Sequence, residues 1–92
     1  MPSTSPFANL WQLHPEVDFL NHGSFGATPT AVLEEQTRLR AEMEGELVRF
    51  LARDLWDRLR GVREALGAFL GADAEDLALV PNATAGVNAV LR

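Results

Sequence analysis

Asn82-Ala83-Thr84-Ala85-Gly86-Val87-Asn88 follows the apolar run Leu77-Ala78-Leu79-Val80-Pro81. A strand-like run, a small polar loop and an opening helix make a seat for an anion. The first turn of a helix leaves its N–H groups unpaired and pointing outward, with a partial positive charge behind them. In one reading the N–H groups of Ala83 to Gly86 and the Thr84 hydroxyl hold a phosphate or a carboxylate. In the other, Asn and Thr are simply the residues a helix N-cap wants, and spacing alone favours that plainer reading. Asn82-Ala83-Thr84 is also a glycosylation sequon, which carries no weight without a secretion signal.

A second candidate is Asn21-His22-Gly23-Ser24-Phe25-Gly26. Two glycines so close predict that the backbone turns sharply or approaches something. As a site loop, it would offer His22 and Ser24 as polar contacts to a small ligand. As a purely structural element, it would be a tight turn with a capping histidine, and spacing supports both equally. A Ser/His nucleophile is not expected, because the two residues are near neighbours on one segment with no third group to orient the ring. His14 and His22 are not at helix-face spacing and have no cysteine or carboxylate cluster beside them, so no metal site is assigned. No residue is assigned a catalytic role.

These loops need elements to hold them. Met1 to Ser5 read as a flexible leader, and Ser5-Pro6 as the cap of a short helix running to Leu13. His14-Pro15 ends that helix, and Val17-Asp18-Phe19-Leu20 reads as a short strand. Thr28 is the expected N-cap of a long helix with Pro29 at its first position. Leu39, Met43, Leu47 and Leu51 share one stripe, continued by Leu55, Leu59, Val62, Leu66 and Phe69, which is helical periodicity. One helix or two would fit. A break is placed near Arg53, because Asp54 is a competent N-cap with Asp57 three residues on. Gly71 stands where a C-terminal cap belongs, and Ala72 to Asp76 form a polar turn. Roughly Thr84 to Arg92 opens a further helix. Trp11, Trp56 and Phe69 are expected core residues, and the Glu and Arg residues between Glu34 and Arg49 a solvated helix face.

Ninety-two residues allow one small domain, and a chain this short buries only about 60–65% of the surface that its unfolded form exposes. Apolar residues make up 47% of the chain, which argues for a folded protein. Thirteen acids face eight basic residues, all arginine, for a net charge of −5; those arginines are interleaved with glutamates, so nucleic acid is not an expected partner. The chain has no cysteine, which removes disulfides and thiol chemistry. It has no run of about eighteen apolar residues, so no membrane span is expected. A soluble, cytoplasmic protein follows as the expectation.

Taken together, Phe19-Leu20-Asn21-His22-Gly23-Ser24-Phe25-Gly26-Ala27-Thr28-Pro29, the long helical section, and Val80-Pro81-Asn82-Ala83-Thr84-Ala85-Gly86-Val87-Asn88 resemble the start of a class V aminotransferase-fold enzyme dependent on pyridoxal phosphate. The likeness is greatest to the isopenicillin N epimerase-like branch, akin to cysteine desulfurases, cysteine lyases and kynureninase, and it extends from about Trp11 to Arg92. The resemblance implies an α/β parent with the pyridoxal-phosphate-dependent transferase fold. This stretch would be mostly α with two short strand segments, near Phe19 and Leu79. Residues 1–15 would be an N-terminal arm, 16–75 a small-domain segment, and 76–92 the start of a large cofactor-binding domain. Ala83 and Thr84 would take the cofactor-phosphate position. Asn21, His22, Gly23 and Ser24 would lie on the substrate side of the cleft. The resemblance also implies an amino-acid substrate and a homodimer.

Enzymes of this kind hold the cofactor's aldehyde on a lysine, and this chain has none. The chain alone is therefore expected to be catalytically inert. A contrasting expectation is a free-standing helical interaction module, in which the stripe from Leu39 to Phe69 docks on a partner or on a second copy of itself. Either way, unpaired strand edges and an exposed apolar stripe are expected of the isolated chain.

Overall fold

A computed structural model describes residues 5–92; the leader reading for residues 1–4 lies outside them. The chain divides into two compact units, residues 5–47 and 48–92 of the described stretch.

In the first unit the Ser5 hydroxyl accepts from the Phe7 N–H (3.2 Å) and the Ser5 carbonyl from the Ala8 N–H (3.0 Å). The turn they open is only a 3₁₀ turn, Ala8–Leu10, and not a helix to Leu13. It stops because Trp11 leaves in extended conformation (φ −124°, ψ 157°) and forms an isolated antiparallel bridge with Pro29. His14 and Pro15 then make a turn, closed by the Val17 N–H on the His14 carbonyl (3.2 Å). The main helix, α1, spans Thr30–Gly45. Its N-cap is Pro29, one residue later than expected, and Thr28 does not cap it. The Pro29 carbonyl instead receives the N–H groups of Val32 (3.0 Å) and Leu33 (3.1 Å).

α1 ends at Gly45, and Glu46 is thrown out of helical geometry (φ −156°, ψ 75°). The break expected near Arg53 is absent. There the chain is π-helical, over Arg49–Asp54, and passes directly into α2, Leu55–Leu70. Asp54 is itself helical (φ −92°, ψ −24°) and caps nothing; its carboxylate lies 3.6 Å from the Arg49 guanidinium, five residues back. Five residues is the repeat that a π turn brings onto one face. The stripe Leu47, Leu51, Leu55, Leu59 steps by four residues, longer than the 3.6 of an α-helix, and the wider π turn absorbs the drift. The Arg58 guanidinium sits 4.9 Å over the Phe50 ring.

Gly71 closes α2 as the sequence indicated, in the left-handed region (φ 71°, ψ 33°). The Ala72 N–H returns to the Gly67 carbonyl (2.9 Å), and the chain folds back over the last turn of α2 through a 3₁₀ turn at Ala74–Asp76. The Asp73 carboxylate caps that turn, accepting the Glu75 N–H at 2.9 Å. Gly67 is buried beneath it. The final helix, α3, spans Ala83–Leu91.

No strand forms among the described residues. Val17 to Leu20 and Leu77 to Val80 carry no regular structure. A strand is defined by its partner's hydrogen bonds, and neither segment has a neighbour to pair with. Nor is there a buried apolar core among the described residues. Trp56 is 72% exposed and Phe69 85%, against the expectation that both are core; Trp11 is half-buried. On the stripe Leu47, Leu51, Val62, Leu66 and Phe69 are exposed while Leu39, Met43, Leu55 and Leu59 are half-buried, so the expected exposed apolar stripe is present in part. No helix of the described residues is long and apolar enough to cross a membrane.

Candidate functional site

The Asn82 seat lies in the second unit and is set by one side chain. Asn82 is extended (φ −165°, ψ 172°), and its side-chain oxygen turns back to accept the Ala85 N–H at 2.8 Å. Its carbonyl accepts the Gly86 N–H at 3.2 Å. The plain capping reading is therefore realised, and it consumes two of the four N–H groups proposed for an anion. Ala83 and Thr84 remain at the head of the helix with no partner among the described residues, both exposed, with the Thr84 hydroxyl beside them. No acidic residue occupies the first turn of α3, so the positive end of the helix is not neutralised from within. Behind it Val80 packs toward Gly86, where an added Cβ would lie 3.6 Å from a Val80 methyl. Capping and anion binding are thus compatible here: the cap orders the turn, and the two leading N–H groups are left over.

Such a head fits the phosphate end of a cofactor, which asks only for N–H and hydroxyl donors at a helix terminus. It does not fit the aldehyde end, since the chain has no lysine amine.

The second loop lies in the first unit. The Asn21 carbonyl accepts the Phe25 N–H (3.0 Å), and His22 Nδ1 accepts the Ala27 N–H (3.3 Å). The His22 ring meets Phe19 edge-on at 4.6 Å and Trp11 at 6.2 Å. Here too the capping contact of the structural reading is present. Gly26 makes the close approach that its sequence predicted, because a Cβ there would sit 3.1 Å from the His22 carbonyl oxygen. Gly23 does not: it faces open space, and its φ is not positive. Asn21, His22, Gly23 and Ser24 are all exposed. Trp11 and Phe19 also help line an apolar groove of about 760 Å³ with Phe7, Leu13 and Val17.

The strongest electrostatic feature lies on α1. Arg38 on α1 grips Glu35 with two bonds (2.6 and 3.0 Å) and reaches Glu42 at 3.2 Å. The hydrogen bond from Arg38, followed by its charge, holds the Glu35 carboxyl below its usual value, and the guanidinium is pushed further up in turn. All three side chains are solvated, so this pairing supports the helix and does no chemistry.

Compared with known proteins, the chain is 41% identical over 78 residues to isopenicillin N epimerase from Streptomyces clavuligerus, a match that takes in 85% of this chain and 20% of that protein. It is 42% identical over 78 residues to isopenicillin N epimerase from Amycolatopsis lactamdurans, taking in 85% of this chain and 19% of that protein. The chain spans about a fifth of the length of the curated relatives it matches. No family model matches it, and no solved structure does.

Proposed function

The chain belongs, over the residues it shares with them, to the family of the isopenicillin N epimerases, and from that premise we propose that it supplies the cofactor-phosphate seat of a pyridoxal-phosphate-dependent enzyme acting on amino acids. The observation that carries the proposal is the head of α3. Asn82 ties up the Ala85 N–H at 2.8 Å and leaves Ala83, Thr84 and the Thr84 hydroxyl as donors at an uncompensated helix terminus. When bound, the cofactor supplies the electron sink for reactions at the carbon bearing the amine. This chain's residues bind and orient its phosphate. Asn21, His22, Gly23 and Ser24 are proposed to lie on the substrate side, with His22 also holding their loop. The names of the relatives favour epimerisation over carbon–sulfur lysis, desulfuration or amino transfer.

On this reading residues 1–15 form an arm, 16–75 part of a small domain, and 76–92 the start of a large α/β domain. The working enzyme is a cytoplasmic homodimer whose amine-bearing lysine comes from outside this stretch, so the 92 residues alone are inert. The exposed stripe residues Leu47, Leu51, Val62 and Phe69 favour one competing reading, a helical interaction module without a cofactor.

Thermal unfolding followed by circular dichroism separates the two. A ligand that binds only the folded state stabilises it by about 2.7 kcal/mol at a hundredfold excess over Kd. Pyridoxal phosphate should therefore raise the midpoint, and pyridoxal, which lacks the phosphate, should not. An identical response to both compounds, or to neither, would remove the seat from this chain and favour the interaction module.

A further inference from the structure

The His22 ring does something that a ligand-contacting residue need not do: it accepts a hydrogen bond from its own loop. The Ala27 N–H points at Nδ1 from 3.3 Å, five residues along the chain. Accepting there requires an unprotonated Nδ1, as in the tautomer with its hydrogen on Nε2. Phe19 meets the ring edge-on at 4.6 Å and Trp11 lies 6.2 Å away. The loop also closes against the His22 backbone, where a Cβ on Gly26 would lie 3.1 Å from the carbonyl oxygen. The His22 ring thus holds the Ala27 end of the turn, while the Asn21 end is closed by the backbone bond from Phe25.

We infer that His22 is a positioning residue that latches this loop while its ring is neutral and releases it when the ring takes a second proton. A protonated Nδ1 is a donor, and a donor facing the Ala27 N–H repels the group it formerly held. Histidine is the side chain whose charge ordinarily changes between about pH 5 and 8. The charged or titratable groups on the segments packed about the ring are His14, Glu16 and Asp18 on the stretch carrying Trp11 and Phe19, and Glu34 and Glu35 on α1 beyond Ala27. None of them pairs with His22 among the described residues: His14 accepts the Glu16 N–H instead, and Glu35 is engaged by Arg38. The latch does not depend on what the loop binds.

The test is amide hydrogen exchange of Ala27 in the ¹⁵N-labelled 92-residue chain, expressed as protection relative to the intrinsic rate at each pH. Protection at Ala27 should fall about two- to tenfold from about pH 7.5 to about pH 5, as expected for loss of one exposed hydrogen bond. His22→Ala should show the lower protection at both pH values. His22→Phe, which keeps a ring between Trp11 and Phe19 but has no acceptor, should do the same and guards against simple misfolding. Val32 and Leu33, bonded to the Pro29 carbonyl, are the internal reference and should not change. Equal Ala27 protection at both pH values in the unsubstituted chain, or wild-type protection in His22→Phe, would overturn the latch. So would loss at Val32 and Leu33 in step with Ala27, which would mean general loosening of the unit.

Discussion

Gly61 and Gly67 sit six residues apart in α2, and alanine at each should act in opposite directions. Glycine inside a helix is worse than alanine by about 0.8–1.0 kcal/mol, so on propensity alone both substitutions stabilise. At Gly61 a Cβ meets nothing within 4 Å, and Gly61→Ala should realise that gain. At Gly67 the Cβ would lie 2.7 Å from the Ala72 carbonyl oxygen and 3.4 Å from the Ala74 nitrogen. Both are backbone atoms, which cannot rotate away as a side chain can. Forcing atoms into such a packed turn costs about 1–3 kcal/mol. Moving Ala72 also weakens its 2.9 Å bond to the Gly67 carbonyl, a loss of about 1 kcal/mol. Set against the propensity gain, Gly67→Ala should destabilise by about 1–3 kcal/mol. Amide exchange across α2 measures both variants without requiring the whole chain to unfold in one step. Gly67→Ala matching or exceeding Gly61→Ala in protection would refute the close approach of the Ala72–Ala74 turn, and with it this account of how α2 ends.

Two further outcomes follow from the same geometry. Asn82→Ala removes the acceptor for the Ala85 N–H and should cost α3 about 1 kcal/mol, read as reduced Cα secondary shifts over Ala83–Leu91 with α1 unaffected. For Glu35, the Arg38 bond holds the folded-state carboxyl below its unfolded value of 4.5, so its contribution is present above that pH and is lost as pH falls through the lower folded value. Helicity of α1 should accordingly hold from neutral pH to near 4.5 and fall below it. Glu35→Gln should flatten that fall, and a fall unchanged in the variant would assign it to other carboxylates.

The sequence revealed local features well and long-range ones poorly, and the residues show why. Gly71 and Asn82 announce their roles because capping needs only a left-handed glycine or a short acceptor side chain within a few residues. The His22 turn was equally local, and the capping histidine was one of the two readings its spacing allowed. The break in the long helix was misplaced because Asp54 looks like an N-cap, whereas Gly45 and the extended Glu46 end α1. Asp54 was recruited instead by Arg49 across a π turn. The four-residue stepping of the leucines was the signal for that turn. Strands at Val17 to Leu20 and Leu77 to Val80 were legible as extended apolar segments only, because pairing depends on a partner that no local pattern encodes. The same holds for Phe69, which periodicity placed on the stripe, and for Trp56, an aromatic expected in the core: what covers a side chain is a tertiary fact. Of the candidate anion seat, the helix terminus and Asn82 could be read directly. The division of its four N–H groups between cap and ligand could not, since it turns on a 2.8 Å contact.

The most direct test of the central claim is a ¹⁵N chemical-shift titration of the chain with pyridoxamine 5′-phosphate, set against pyridoxamine. The probe carries the phosphate but no aldehyde, so the N-terminal amine cannot trap it covalently. The expected result is a saturable shift of the Ala83 and Thr84 amides that requires the phosphate, weakens in Thr84→Ala, and leaves Ala85 bonded to Asn82. Shifts that ignore the phosphate, or that spare Ala83 and Thr84 while moving residues elsewhere, would contradict the assignment of the α3 head as the cofactor-phosphate seat.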